Sequence, residues 1–159
     1  MGPDGSIWGT GKKAVVKMDP RTTGNMNPVK QWPLEKETSP YDNLVSADGN
    51  FWAGGAPGTG GKTIKLLDTR TGKLLTLETF RKSTPARGGF DPDGNPWFGG
   101  RGGSIVMLDV KAGRIKEYWP PSPYVPYTVF YEAMPDKHGE IWAGILHGRG
   151  YLRDRKSVV

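Results

Sequence analysis

The sequence predicts an all-β fold: a β-propeller of about four four-stranded antiparallel blades, incomplete at both ends and part of a larger ring. Three observations predict it. A turn glycine followed three residues later by a tryptophan recurs four times, at Gly5 and Trp8, Gly49 and Trp52, Gly94 and Trp97, and Gly139 and Trp142. The tryptophans are 44, 45 and 45 residues apart, a period that marks a propeller, a solenoid or a repeat array. The 24 glycines and 14 prolines fall at regular turns between short apolar runs, and no run sustains a 3.6-residue apolar period. Strands joined by hairpins are therefore expected, not helices.

Each unit offers four strands in a fixed order. The first opens on proline, at 40–45, 85–90 and 126–131. The second follows the glycine turn and carries the tryptophan, at 7–9, 51–54, 97–99 and 141–144. The third is β-branched and ends on aspartate, at 15–19, 64–68 and 105–109, with a weaker copy at 151–154. The fourth follows a second glycine turn, at 29–34, 73–80 and 114–119. Antiparallel hairpins of this kind, repeated radially, are propeller blades. Their expected bounds are 1–34, 40–82, 85–120 and 126–159, in a single propeller segment.

Three structural expectations follow. Each tryptophan packs between adjacent blades. Gly54, Gly55, Gly99 and Gly100 permit close backbone approach or a bulge. The aspartates ending the third strands accept a hydrogen bond from their own backbone two residues on. The first unit lacks its first strand and the last lacks its fourth, which leaves fourteen strands. Four complete blades hold about sixteen. More chain or another copy would complete the ring, and an open blade edge favours self-association.

Composition narrows the function classes. There is no cysteine, which excludes disulfides, thiolate nucleophiles and cysteine-based zinc sites in this segment. The net charge is +6, but the basic residues are scattered except near 149–156. A nucleic-acid footprint would cluster on one stripe, so no nucleic-acid partner is expected. No segment reaches the ~20 apolar residues of a membrane helix, so no membrane partner is expected. The reading is a soluble protein, with the compartment open: periplasmic or secreted if a leader precedes these residues.

Residues 56–63, Ala-Pro-Gly-Thr-Gly-Gly-Lys-Thr, fit a relaxed phosphate-binding loop. Such a loop works by leading into a helix N-terminus. Here the following Ile-Lys-Leu-Leu-Asp is a strand by register, so no nucleotide is expected, and Lys62 remains as a possible anion contact. Residues 91–95 are rich in oxygen ligands but lack the glutamate that closes a calcium loop, so no metal site is assigned. Only the fourth unit carries histidines. His138 occupies the turn position and reads as structural. His147 lies in the hairpin between the second and third strands, where function concentrates; it is the one catalytic candidate. The first strands offer Tyr41, Asp42, Arg87, Tyr127, Tyr131 and Glu132, a set suited to a small polar ring-shaped ligand near the axis. No spacing places a Ser-His-Asp set.

The pattern Pro-Tyr, then Asp-Gly-x-x-Trp, Ile-x-x-Leu-Asp and Gly-x-x-x-x-Tyr, with Trp119-Pro120-Pro121 leading to Pro126-Tyr127, resembles the virginiamycin B lyase (streptogramin lyase) family across essentially the whole chain. The resemblance implies a seven-bladed ring and metal-assisted elimination that opens the ester of a cyclic depsipeptide antibiotic, with magnesium as the cofactor if that activity holds. In the family a catalytic histidine follows the proline of a first strand. The matching positions are Tyr41, Ala86 and Tyr127. A glutamate often follows the tryptophan by three; the matching positions are Gly11, Gly55, Gly100 and Ile145. None carries the family residue. The resemblance therefore implies a ligand-binding module, with the lyase chemistry in other blades or a protein-interaction scaffold as the other readings.

Overall fold

The computed structural model describes residues 1–10, 14–22, 30–34, 42–53, 63–78, 84–119, 129–146 and 151–155, and every regular element among them is a strand. Blade 1 holds β1 (Ile7–Thr10), β2 (Ala14–Met18) and β3 (Lys30–Pro33). Blade 2 holds β4 (Leu44–Val45), β5 (Phe51–Ala53), β6 (Thr63–Leu67) and β7 (Leu74–Glu78). Blade 3 holds β8 (Pro85–Phe90), β9 (Pro96–Gly100), β10 (Ile105–Asp109) and β11 (Arg114–Tyr118). Blade 4 holds β12 (Phe130–Pro135), β13 (Glu140–Ile145) and β14 (Tyr151–Arg155). Within each blade, successive strands pair antiparallel.

The turn before each tryptophan strand is built by its glycine. Gly5, Gly49, Gly94 and Gly139 have φ of 79, 84, 81 and 79°, a left-handed conformation that a Cβ makes costly. In blades 3 and 4 an aspartate six residues before the tryptophan ties the turn together. Asp91 Oδ1 accepts the Asp93 and Asn95 amides, and Oδ2 accepts the Trp97 indole N–H at 3.0 Å. Asp136 repeats this with the His138 and Glu140 amides and the Trp142 indole. Blade 1 has Gly2 at that place, and there Ser6 Oγ accepts the Trp8 indole N–H. The aspartates of the second turn behave as expected: Asp19 and Asp68 accept the amides of Arg21 and Arg70, two residues on. Asp109 accepts the Ala112 amide, three residues on.

Three apolar clusters sit at the three junctions between blades. Trp8, Val15, Trp32 and Leu34 of blade 1 meet Phe51 and Leu67 of blade 2. Trp52 and Ile64 meet Phe98, Val106 and Leu108 of blade 3. Trp97, Ile105 and Met107 meet Phe130, Ala133, Ile141 and Ala143 of blade 4. The repeat tryptophan thus packs between blades, and burying each ring stabilises the junction by about 2–3 kcal/mol. Trp8, Trp52 and Trp97 are 8, 5 and 3 % exposed, whereas Trp142 is 41 % exposed.

The blades converge along their first strands. β8 and β12 pair in parallel, with Arg87 opposite Glu132 and Gly88 opposite Ala133. This merges blades 3 and 4 into a seven-stranded sheet in the order β11-β10-β9-β8-β12-β13-β14. Gly99 makes the approach of the two blades possible, and Gly88 lets β8 lie close on β9 within blade 3. A Cβ on Gly88 would overlap the Trp97 carbonyl, and one on Gly99 would lie 2.5 Å from the Phe130 carbonyl oxygen. The Gly99 expectation holds; Gly54 and Gly55 fall outside the described residues.

One boundary needs correction. Among the described residues the first strand of blade 4 is Phe130–Pro135, which runs past the expected end at 131; 126–128 lie outside the described residues. The proline rule misled here because the 45-residue register, not Pro126, sets the strand: Met134 faces Trp142 as Gly89 faces Trp97 and Leu44 faces Trp52. The position matching Tyr41 and Ala86 is therefore Tyr131, not Tyr127. It is no more a histidine than the others.

Candidate functional site

That register brings three charged residues to one level. Two residues before Leu44, Gly89 and Met134 stand Asp42, Arg87 and Glu132, 45 residues apart in turn. They occupy equivalent places on the converging ends of blades 2, 3 and 4, with signs negative, positive, negative. The Gly88 amide donates to Asp42 Oδ2 at 3.0 Å, which links blade 2 to blade 3 beside this level. Arg87 and Glu132 are Cα partners across the parallel pair.

Both longer first strands carry a register shift here, between Pro85 and Gly88 and between Phe130 and Glu132. A bulge inserts one extra residue and breaks the alternation of side chains. Tyr131 is the extra residue in β12, and its ring lies under the Arg87 guanidinium, 4.9 Å from Cζ to centroid. The attraction is of the cation–π kind. Arg87 is exposed, while Asp42, Tyr131 and Glu132 are half-buried. Glu132 extends over Gly144, whose missing side chain leaves room for it: a Cβ there would sit 3.5 Å from Glu132 Oε1. The arrangement can stack a flat group, present a guanidinium fork to a carbonyl or carboxylate, and accept N–H or O–H donors on its two carboxylates.

Of the residues singled out from the sequence, Asp42, Arg87, Tyr131 and Glu132 are thus brought together. Tyr41, Lys62, Tyr127 and His147 lie outside the described residues. His138 sits in the exposed turn as expected, its backbone N–H bonded to Asp136. Thr63–Leu67, the segment after the glycine-rich loop, is strand β6, paired with β5 and β7. It offers no helix N-terminus to a phosphate. The Asp91 carboxylate, one candidate calcium ligand, already accepts N–H groups from Asp93, Asn95 and Trp97.

A cavity of about 290 Å³ lies elsewhere, between the turns of blades 1 and 2, lined by residues including Asp4, Trp8, Lys17, Lys30, Trp32 and Thr69. The sequence reading missed it. Its signal was the combination of Lys17, Lys30 and Trp32: the equivalent places hold Leu66, Leu75 and Leu77 in blade 2 and Met107, Lys116 and Tyr118 in blade 3. Lys17 lies 5.5 Å from the Trp8 ring and bonds Asp4 at 2.6 Å. Lys30 lies 4.9 Å from the Trp32 ring, and its Nζ donates to the Thr69 carbonyl. The Trp32 Nε1 is buried with no hydrogen-bond partner among the described residues. With Asp4 and Asp48 in its wall the cavity is close to neutral, and its lysines are engaged by the wall itself. The exposed guanidinium of Arg87 makes the converging strands the better candidate.

Electrostatics elsewhere serve the turns. The Lys17 ammonium, then the Ser6 hydroxyl, holds the Asp4 carboxyl well below the usual carboxylate range. The Arg21 guanidinium lowers Asp19 to about 2. Burial pushes Asp136 up, but the Trp142 indole and the His138 and Glu140 amides outweigh it and leave the carboxyl lowered.

No protein-family model matches the chain, and no curated protein matches it in sequence. Solved structures do. The virginiamycin B lyase of Staphylococcus aureus superposes with a TM-score of 0.76 at 20 % identity, covering 99 % of this chain and 51 % of that one. A catalytically inactive form of the same enzyme with quinupristin gives 0.77 at 18 % identity, over the same shares. The chain is part of a β-propeller. The WD40 propeller domain of Doa1 gives 0.67 at 17 % identity, over 88 % of this chain and 43 % of that one. The chain spans about half the length of the lyase it resembles, and at these identities the likeness is one of fold.

The magnesium implied by the resemblance does not fit the residues present. The positions matching the family's histidine and glutamate hold neither histidine nor carboxylate, and Arg87 stands between the two carboxylates at the converging level, where its charge opposes a cation.

Proposed function

We propose that this propeller segment binds a small polar ligand at the converging ends of blades 2–4, without itself supplying catalytic groups. The observation that carries the reading is the coincidence of Asp42, Arg87 and Glu132 at one register on three successive blades, with Tyr131 under the guanidinium. Equivalent positions in a repeat are free to differ only where architecture does not fix them. Here they differ in charge, as a site for an asymmetric ligand requires. Tyr131 provides a stacking surface. Arg87 pairs with a carbonyl or carboxylate. Asp42 and Glu132 take donors on either side.

Quinupristin is the probe suggested by the lyase likeness. The test is calorimetric titration of the chain with quinupristin, with chromatography to follow its integrity. Saturable binding of intact quinupristin, weakened about tenfold or more by Arg87→Ala, is the expected result. Recovery of a ring-opened isomer would move the reading to a lyase. Absence of binding, or equal binding by Arg87→Ala, would remove the ligand reading from this site.

A further inference from the structure

The cavity of about 290 Å³ lies inside the junction of blades 1 and 2, with walls from both: Asp4, Lys17, Lys30 and Trp32 on one side, Asp48 and Thr69 on the other. Trp8 and Trp32 stack at 5.2 Å and give it an apolar wall. The repeat tryptophans Trp8, Trp97 and Trp142 place their indole N–H on acceptors of their own turns. Trp32 does not. It is 6 % exposed, and its Nε1 is buried with no hydrogen-bond partner among the described residues. A buried donor without an acceptor is costly, and the repeat does not require one here: the matching positions hold Leu77 in blade 2 and Tyr118 in blade 3.

We infer that this cavity binds a small neutral polyhydroxylated ring, of the size of one monosaccharide, with a ligand oxygen accepting the Trp32 indole N–H. Charge argues for a neutral occupant. Lys17 pairs with Asp4 at 2.6 Å. Lys30 has no carboxylate partner among the described residues; it lies 4.9 Å from the Trp32 ring and donates a long 3.4 Å bond to the Thr69 carbonyl, with Asp48 in the facing wall. Two ammonium groups and two carboxylates give the wall no single sign with which to draw an ion. A hydroxyl suits such a wall, because its oxygen accepts from an indole or ammonium while its proton goes to a carboxylate. A sugar ring also carries C–H groups for the indoles. The volume is near the lower limit of ~300 Å³ for small-molecule sites, which restricts the occupant to a single ring.

Proton–nitrogen NMR of the isotope-labelled chain tests this, because each indole N–H gives its own signal. The Trp32 signal is assigned by through-space contacts with the stacked Trp8 ring. Glucose, mannose and galactose are the probes, and inorganic phosphate is the anionic control. The expected result is saturable movement of the Trp32 signal by at least one of the sugars and none by phosphate. Trp32→Phe, which keeps a ring and removes the donor, should weaken calorimetric binding of that sugar at least tenfold. Lys30→Gln, at an exposed position, should weaken it severalfold and stands in if circular dichroism shows Trp32→Phe unfolded. A Trp32 signal unmoved by all of the sugars would overturn the inference. So would movement by phosphate alone, which would mean an anion site, or undiminished sugar affinity in the folded variants, which would mean another surface.

Discussion

The junction of blades 1 and 2 and that of blades 3 and 4 use the same tryptophan in different ways. In the first, Trp8 stacks on Trp32 at 5.2 Å and on Phe51 at 5.9 Å, a cavity remains beside the rings, and no strand of one blade pairs with the other among the described residues. In the second, Trp97 stacks on Tyr118 at 5.2 Å and packs with Phe130, Ala133 and Ala143, β8 and β12 share backbone hydrogen bonds, and the side-chain-free Gly99 admits the Phe130 carbonyl. Both junctions bury large rings, but among the described residues only the second also closes on a strand pair that a glycine admits. The difference teaches that a repeat fixes where two sheets meet but not how tightly. Tightness is set by the residues that flank the repeated one.

The largest expected effect falls on Gly88, where β8 lies closest to β9 inside the sheet that blades 3 and 4 share. Gly88→Ala forces a Cβ into the Trp97 carbonyl and should cost more than about 4 kcal/mol in chemical denaturation. Gly9→Ala, whose Cβ would meet only Val16 Cγ2 at 3.5 Å, should stay within about 0.5 kcal/mol. Equal losses would break the contrast. Next comes the tryptophan series. Trp97→Ala should cost about 3–5 kcal/mol, because it empties a sealed site and removes a donor from buried Asp91. Trp142→Ala should cost about 1–2 kcal/mol, since that ring is already partly in water.

The smallest effect is electrostatic. Asp4, Asp19 and Asp136 all have carboxyls lowered by folding. Groups of this kind contribute stability above the unfolded value near 3.9, and the contribution fades as pH falls through the folded values. Thermal midpoints should therefore be flat from about pH 7 to 5 and decline from about pH 4 to 2. The sign reverses only if burial had raised these groups. High salt should blunt the decline traced to Asp4 and Asp19, which face Lys17 and Arg21 in blade 1. Asp136, held by an indole and amides, should respond less.

Much of the architecture was legible because it repeats. The four tryptophans, their turn glycines and the aspartate-ending strands gave the blade order, and the fourteen expected strands correspond to the fourteen described. What misled was a proline read as a ruler. Pro126 is not spaced like Pro85, whereas Trp142 and Met134 are spaced like Trp97 and Gly89. The ring of charge was half legible: Asp42, Arg87 and Glu132 were picked out as polar residues on first strands, but their common 45-residue spacing was not. Tyr131's place under Arg87 depends on bulges, which leave no periodic trace. The Asp91 and Asp136 ties to the indoles were also missed, since blades 1 and 2 hold Gly2 and Ser46 at those positions and the pattern is only half repeated.

The parallel pairing of β8 with β12 has one more consequence. Because blades 3 and 4 form an uninterrupted hydrogen-bonded sheet, they are expected to open together, as a single foldon. Arg87, Tyr131 and Glu132 all belong to it and hold their mutual geometry through local breathing. Asp42 belongs to a different sheet, which meets those blades through the Trp52 cluster and, at Asp42 itself, through a carboxylate bond to the Gly88 amide. It is the member of the set whose position relaxes first when the arc flexes, so the slowest amide exchange belongs to the Arg87 side of the level and the fastest to the Asp42 side.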